Sequence, residues 1–259
     1  MKKLLSRVIL RWYLPRFLGA AHAFNRLLGQ AIRMQLGWIS DEAFRCHLAT
    51  FYQQLDPGSI QRDLRFEEKV QHLNRPGGYK VPISTFNDDS SSSARSGRLN
   101  LWQRRFALLG HLGVRADILI LRAGEQIPPH GHYRVVSGFY VLAGRVAIRH
   151  YDRVREENGK LLVRKVLDTE LGPGGFTTNS ETYHNIHWLQ GLAEQSYLFR
   201  VTALDTPTAA FGGTARTDPR IYVDPSGEPD ESGLIAAAYV NEATAKRLFI
   251  HPPVLQKSN

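Results

Sequence analysis

Five short runs of β-branched, aromatic and other apolar residues follow one another between residues 116 and 204, separated by turn residues. The runs are 116–123, 137–144, 145–152, 160–168 and 195–204. Strands of this length, joined by turns and without a helical pattern between them, are typical of an antiparallel sandwich or barrel. We therefore predict a mainly β fold for this part of the chain.

The rest of the chain divides by composition into three further segments. Residues 1–86 are basic and mostly helical in pattern, and residues 87–98 contain no apolar residue beyond one alanine, which predicts an exposed loop or linker. The predicted barrel then spans residues 99–204. Residues 205–259 are predicted to form a C-terminal tail, with a short helix that begins at Asn241.

The formal net charge of +9 is concentrated at the N-terminus. Seven Lys and Arg side chains precede Asp41, the first acidic residue, and subtracting these seven from nine leaves about +2 for the remaining chain. A basic groove across the main domain is therefore not indicated, and we expect no nucleic-acid partner.

Two apolar stripes at helical spacing lie on either side of Pro15 in the basic segment. The first consists of Leu5, Val8, Ile9 and Trp12, and the second of Ala20, Phe24, Leu27, Leu28, Ala31 and Ile32. Three interpretations stay open, namely packing on the barrel or at a homodimer contact, peripheral contact with an anionic membrane, and an organelle-targeting peptide. If the stripes pack, deletion of residues 1–35 should cost stability or solubility. If they form a surface anchor, it should cost liposome binding only.

Cys46 is the single cysteine of the chain. One cysteine excludes both an intrachain disulfide and a thiolate zinc cluster, which favours a reducing compartment. No uncharged apolar run approaches the roughly 18 residues that a membrane span requires. We therefore expect a cytoplasmic protein, with any membrane contact limited to a peripheral one through the basic N-terminus.

Histidines form a pattern inside the predicted barrel. The segment 125–144, EQIPPHGHYRVVSGFYVLAG, places His130 and His132 two residues apart, and such residues on an extended segment point to the same face. Two imidazoles directed at one point suggest half of a metal site. Farther along, His184 and His187 lie three residues apart, so only one of them can enter the barrel if both belong to one strand.

The remaining histidines considered lack such partner spacing. We predict that each is a surface or hydrogen-bonded histidine without a role in a site. They are His111, His150 and His251.

These motifs resemble those of the cupin superfamily. A G-x5-H-x-H pattern fits Gly124, His130 and His132, and the motif YHNIHWLQG at 183–191 brings another histidine from a distant strand. Within the superfamily, IPPHGHYRVVSGFYVLAGRVAIRHYDRV at 127–154 is similar to the three-histidine thiol dioxygenases of the cysteamine dioxygenase and plant cysteine oxidase type. The resemblance covers residues 118–201, about a third of the chain.

The resemblance implies a jelly-roll barrel in which His130, His132 and His187 hold Fe(II). The usual fourth ligand of the superfamily is a carboxylate, and Ser137 occupies its position here, which leaves a three-histidine set. The implied reaction oxidises a small thiol to its sulfinate with O2 as co-substrate. Three further side chains are expected close to the reacting groups, namely Tyr140, Tyr183 and His184.

Arg200 stands where the cysteamine dioxygenase type carries an aspartate near the substrate amine. If Arg200 points inward, its forked guanidinium suits a carboxylate, which predicts an anionic thiol such as a mercapto acid. The alternative is an arginine on a solvated strand face. For the whole chain, two alternatives to a thiol dioxygenase stay open, another metal-dependent cupin oxygenase or isomerase and a non-catalytic ligand-binding cupin.

Overall fold

The computed structural model describes residues 20–63, 79–82, 113–204, 206 and 220–249. Several predictions lie outside these residues: the first apolar stripe, the linker at 87–98, His111 and His251. The helices are α1 (Ala20–Gln35), α2 (Asp41–Gln53), α3 (Pro57–Asp63) and α4 (Glu242–Phe249). The strands are β1 (Tyr79–Pro82), β2 (Val114–Arg122), β3 (Gln126–His132), β4 (Val135–Ala143), β5 (Val146–Glu157), β6 (Lys160–Leu171), β7 (Phe176–Asn179), β8 (Ile186–Gly191), β9 (Gln195–Leu204), β10 (Arg220–Asp224) and β11 (Leu234–Val240).

The strands form two antiparallel sheets. The first has the order β1-β2-β9-β4-β7, and the second is a closed circuit with the order β10-β11-β6-β5-β8-β3. All five runs identified in the sequence are strands, namely β2, β4, β5, β6 and β9. The predicted mainly β fold, an antiparallel barrel with an N-terminal helical extension, is therefore confirmed.

The sequence indicated that the barrel ends at residue 204, but in the structure it continues beyond this residue. β10 pairs with β3, and β11 pairs with both β10 and β6, so part of the segment predicted as a tail closes the second sheet. The alternation of buried and exposed residues at the start of β11 is weak, which is why its strand character was missed. The predicted helix is confirmed as α4, and the Asn241 side chain caps it by accepting a hydrogen bond from the Thr244 backbone N–H at 2.8 Å.

Alternation along the strands separates two apolar environments. One face of the first sheet points into the barrel, where Leu119, Phe139, Val141 and Leu198 pack against Leu189 of β8. The opposite face of the same strands is covered by the helices. Neighbouring residues of β4 therefore belong to different surroundings, since successive side chains point to opposite faces of a sheet.

The helical extension packs on the outer face of the first sheet. In the second apolar stripe, Phe24, Leu27, Leu28 and Ala31 of α1 are buried in the same cluster as Phe199 of β9. The packing interpretation is therefore correct for α1. No helix in the described ranges is long and apolar enough to cross a membrane.

Tyr52 of α2 joins this extension to the barrel. Its ring fills the space above Gly138, where an added Cβ would overlap it, and its hydroxyl donates to the Gly138 carbonyl at 2.8 Å. The same hydroxyl accepts from the Val201 backbone N–H at 3.1 Å. Burial raises the pKa of the Tyr52 hydroxyl, so it stays protonated and remains a donor.

We expect Tyr52→Phe to lower the free energy of unfolding by about 1–3 kcal/mol, because two buried backbone groups lose their partner. Urea unfolding of the purified protein measures this change. Tyr239→Phe is the matched control, since Tyr239 is 36% exposed, and its effect should stay within about 0.5 kcal/mol. Equal effects of the two substitutions would contradict the role given to Tyr52.

Candidate metal centre

Three histidines from β3 and β8 converge between the two sheets, on the face of the second sheet that packs against the first. One ring nitrogen from each of His130, His132 and His187 lies within 4.8 Å of the others. The ring centroids are 4.3 Å apart for His130 and His187, 4.9 Å for His130 and His132, and 5.4 Å for His132 and His187. The structure thus brings together all three residues proposed from the sequence as metal ligands.

The sequence between Ile127 and His132 explains how β3 presents its histidines. Pro128 and Pro129 have no backbone N–H, and the ladder with β8 is irregular between Ile127 and His130. His130 then pairs directly opposite His187, which places both side chains on one face. Gly131 lies between the two histidines of β3, because a Cβ there would overlap the Asn185 side chain.

Backbone carbonyls orient two of the rings. His130 Nδ1 lies 2.8 Å from the Pro128 carbonyl oxygen, and His187 Nδ1 lies 3.0 Å from that of Asn185. When His130 Nδ1 carries the proton and donates it to the Pro128 carbonyl, His130 Nε2 has a lone pair to offer a metal. A carbonyl two residues earlier in the sequence therefore selects the tautomer of His130 that can coordinate.

Two hydrogen-bonded side chains of the first sheet, Asn179 and Ser137, lie behind His187. The Asn179 amide nitrogen lies 2.7 Å from His187 Nδ1, and Asn179 Oδ1 accepts a hydrogen bond from the Ser137 hydroxyl at 2.5 Å. Ser137, for which the sequence resemblance implied the place of a carboxylate ligand, thus contacts Asn179. Substitution of a group that holds a ligand ring in this way commonly lowers metal affinity on the order of 10–100-fold.

The donor set fits a transition metal. His130 and His187 are 5% and 1% exposed, and His132 is half-buried. Burial lowers the pKa of His130 well below its ordinary value, and the neighbouring imidazoles lower it further. The ring is therefore neutral at pH 7, the form that binds metal. Among the described residues the cluster contains no carboxylate, and three imidazole donors suit iron, copper, nickel or zinc.

His150 is a fourth histidine of this layer. It is hydrogen-bonded, as predicted, and it lies outside the three-histidine group but packs beside it. It lies directly opposite His187 on β5, is fully buried, and its ring centroid is 6.1 Å from that of His187. Its Nε2 lies 3.2 Å from the Thr177 hydroxyl. A sequence pattern could have found it, because Val146, Ile148 and His150 alternate on the inward face.

Tyr140 does not contact the histidine cluster. Phe139 points inward, with its ring centroid 5.5 Å from that of His187, so the next residue points outward. Tyr140 is buried under the helices, and its hydroxyl donates to the Leu55 carbonyl at 2.9 Å. Its expected place beside the reacting groups is therefore wrong.

Tyr183 and His184 lie in the loop between β7 and β8. Their rings are stacked with centroids 3.7 Å apart, and the Arg45 guanidinium of α2 covers the Tyr183 ring at 3.8 Å. His184 has a φ of +53° and its backbone N–H donates to Asp152. Because His184 is not in a strand, strand alternation was the wrong reason for setting it apart from His187. It nevertheless lies outside the three-histidine group.

The side chain of Tyr183 is 37% exposed, so it lies at the surface end of this loop. His184 lies between the surface and the interior, with its ring centroid 5.2 Å from that of His150. Neither residue reaches the coordinating nitrogens directly in this arrangement. Any influence on turnover would pass through His150 or through the loop that carries His187.

Arg200 lies on the inward face, but its charge is already matched. It stands opposite Phe139 on one side and Asp117 on the other, in phase with the inward residue Leu198. Its Nε and Nη2 donate to the two carboxylate oxygens of Asp117 at 2.9 and 2.5 Å. The arginine is thus neither on a solvated face nor an unmatched cation, which removes the reason for assigning it the substrate's anionic group.

No family model matches the sequence, and no curated protein matches it at a significant level. Solved structures that resemble part of it include procruciferin, an 11S globulin from Brassica napus, at 15% identity and a TM-score of 0.31, over 39% of this chain and 23% of that one. Oxalate oxidase matches at 18% identity and a TM-score of 0.29, over 39% of this chain and 47% of that one.

A third such structure is the cupin domain of Schizosaccharomyces pombe Cnp3, at 13% identity and a TM-score of 0.28, over 36% of this chain and 57% of that one. The chain spans less than two thirds of each of these neighbours. Similarities of this extent carry no information about activity or substrate.

We expect the purified protein to bind about one divalent metal ion per chain, as the three converging rings form one coordination site. His130→Ala, His132→Ala and His187→Ala should each abolish this binding. His184→Ala is the matched control and should keep most of the metal. Metal analysis after reconstitution measures the stoichiometry, and the reverse result for His184 and His187 would reassign the third ligand.

We also expect the metal-free protein to lose stability as the pH falls below about 6.5, since burial lowers the pKa of both His130 and His150 from that ordinary value. In this range the unfolded chain binds protons that the folded chain does not. The free energy of unfolding should fall by about 1.4 kcal/mol per pH unit for each such histidine.

Urea unfolding between pH 7.5 and 5.5 measures this slope. His150→Gln should reduce the slope by the share of one histidine, about 1.4 kcal/mol per pH unit. Comparing the variant with the original protein removes the contribution of other titrating groups, because both proteins share it. An unchanged slope in the variant would contradict the role of buried His150.

Proposed function

We propose that this protein is a non-haem iron(II) dioxygenase that oxidises a small thiol to its sulfinate. The observation that carries the proposal is the set of three inward imidazoles, His130, His132 and His187, with no carboxylate among them in the described structure. The resemblance of the surrounding motifs to the three-histidine thiol dioxygenases supports the same reaction.

The charge of the donor set favours a thiolate. Three neutral ligands leave the full charge of a divalent ion uncompensated, so an anionic ligand gains more at this centre than at one with a carboxylate. Bound iron(II) would lower the pKa of a coordinated thiol and supply the electrons for activation of O2. The Pro128 backbone carbonyl holds His130 in the tautomer whose Nε2 can coordinate.

The surrounding side chains favour a small substrate. Phe139 lies against His187, and the apolar cluster around Leu119, Val141 and Leu198 fills the next layer of the barrel. His132 is the one half-buried member of the set, so we expect substrate to enter from its side. This apolar floor would exclude bulk water from a small bound thiol.

The reaction balances without a further reductant. One thiol and one O2 give one sulfinic acid, so sulfur loses four electrons, both oxygen atoms end on sulfur and the S–H proton is released to water at neutral pH. No cysteine lies in the barrel, because Cys46 is on α2, so a cysteine–tyrosine crosslink plays no part.

We expect protein purified without oxygen and reconstituted with Fe(II) to consume O2 and thiol in a 1:1 ratio. Oxygen uptake with a panel of small thiols, together with mass spectrometry of the product, measures the reaction. His187→Ala should abolish uptake, and His184→Ala should retain metal even if its turnover is reduced.

The outcomes separate the alternatives. Metal binding without oxygen uptake for any thiol would indicate another metal-dependent oxygenase or isomerase. Binding of small molecules without turnover would indicate a non-catalytic module. Failure to bind any metal after anaerobic reconstitution would overturn the enzyme proposal as a whole.

A further inference from the structure

β10 places two polar side chains beside the histidine cluster. The sequence patterns assign no role to either of them. Arg220 stands directly opposite His132, and Tyr222 stands directly opposite His130. Directly opposed residues of an antiparallel pair share a face and have their Cβ atoms about 4.5–5.5 Å apart. Arg220 and Tyr222 therefore lie on the same face as the histidines.

The residue between them confirms this orientation. Ile221 is buried in a separate apolar cluster together with Ile186, the residue that precedes His187 on β8. Since Ile186 and His187 point to opposite faces of β8, Ile221 points away from the histidines and its two neighbours point toward them.

Arg220 and Tyr222 act as one unit. Arg220 Nη1 donates to the Tyr222 hydroxyl at 3.3 Å, and the Tyr222 ring lies with its centroid 5.7 Å from that of His130. We propose that Arg220, with the Tyr222 hydroxyl beside it, receives a carboxylate of the substrate while the other end of the same molecule binds at the metal. This inference rests on the proposed metal site and names the class of its substrate, a short mercapto acid.

The charges around the site favour Arg220 over Arg200 for this role. The guanidinium of Arg200 is held in a bidentate pair with Asp117, whereas Arg220 stands directly opposite the half-buried His132. Lys246 of α4 adds a second cation near Arg220, although it is paired with Glu242.

Strand geometry limits the size of the substrate. Neighbouring strands lie about 4.8 Å apart, so a ligand that spans from the metal to the Arg220 guanidinium needs only a few bonds between its sulfur and its carboxylate. 3-Mercaptopropionate meets this requirement. Cysteamine is a thiol of similar length with the opposite charge, and 3-mercapto-1-propanol is a neutral analogue.

Binding of these three thiols to cobalt(II)-loaded protein without oxygen tests the inference, with the visible spectrum of cobalt as the readout. We expect 3-mercaptopropionate to bind at least tenfold more tightly than the neutral thiol, and cysteamine to bind most weakly. Arg220→Met, which keeps an unbranched apolar stem but removes the guanidinium, should weaken binding of the acid about thirtyfold and leave the neutral thiol unchanged. Arg220→Lys should restore part of the loss.

Arg149→Met is the matched control, because Arg149 is exposed on β5 and pairs with Asp168. It should bind all three thiols as the original protein does. Equal binding of the acid and the neutral thiol by the original protein would overturn the inference, even if Arg220→Met does not fold.

Retained preference for the acid in a folded Arg220→Met protein would overturn it as well. Cobalt binding with the expected preference supports the inference whether or not the iron form consumes O2, so its failure and that of the dioxygenase proposal are separable. Failure of cobalt to bind at all would remove the metal site and the inference together.

Discussion

The pairing of β3 and β5 with the central strand β8 is the constraint on which the site depends. His130 and His150 both stand directly opposite His187, so one row across three strands carries three imidazoles on the inward face. A shift of one residue in either pairing would turn a histidine to the other face of the sheet. Two local features fix the register of β3 at the histidines. The ladder is irregular at Pro128, which sets the position of His130, and Gly131 has no side chain to collide with Asn185.

The helical extension contributes to the same geometry from outside. Tyr52 passes over Gly138 and bonds to two neighbouring strands of the first sheet, and Arg45 donates to the Thr178 hydroxyl at 3.0 Å. Thr178 precedes Asn179, whose amide lies against His187. β7 is a four-residue edge strand, so contacts from α2 on one side and from the histidines on the other hold it in place. The helices thus support the three-histidine cluster and also cover an apolar face.

Periodicity was sufficient to predict five of the eleven strands in the described residues and the shared face of His130 and His132, because both depend on local alternation. His187 was selected by the resemblance of its motif. The parity of residues within one strand would also have placed Tyr140 outward, since it lies three residues from Ser137 on β4. What the sequence could not supply is the partner of each strand. The pairing of β10 with β3 joins residues about 90 positions apart, and the opposition of Asp117 to Arg200 joins residues 83 apart. No local pattern encodes such pairs, so the extent of the barrel and the charge state of the site were both misjudged.

Charge at this site is therefore a property of cross-strand neighbours rather than of residue type. Arg200 and Arg220 are both arginines on inward faces, yet one faces a carboxylate across the sheet and the other faces an imidazole. The Asp117–Arg200 pair is part-buried, with side chains 12% and 18% exposed, so removal of either partner would leave a poorly solvated charge, and the pair is suited to fixing strands rather than to exchanging ligands. In the proposed centre, Arg220 would add its charge to that of a metal held by neutral ligands, and the two together would attract an anion. A sequence motif can name the ligands of such a centre, but the sign of the molecule that it receives is decided by which strands lie next to one another.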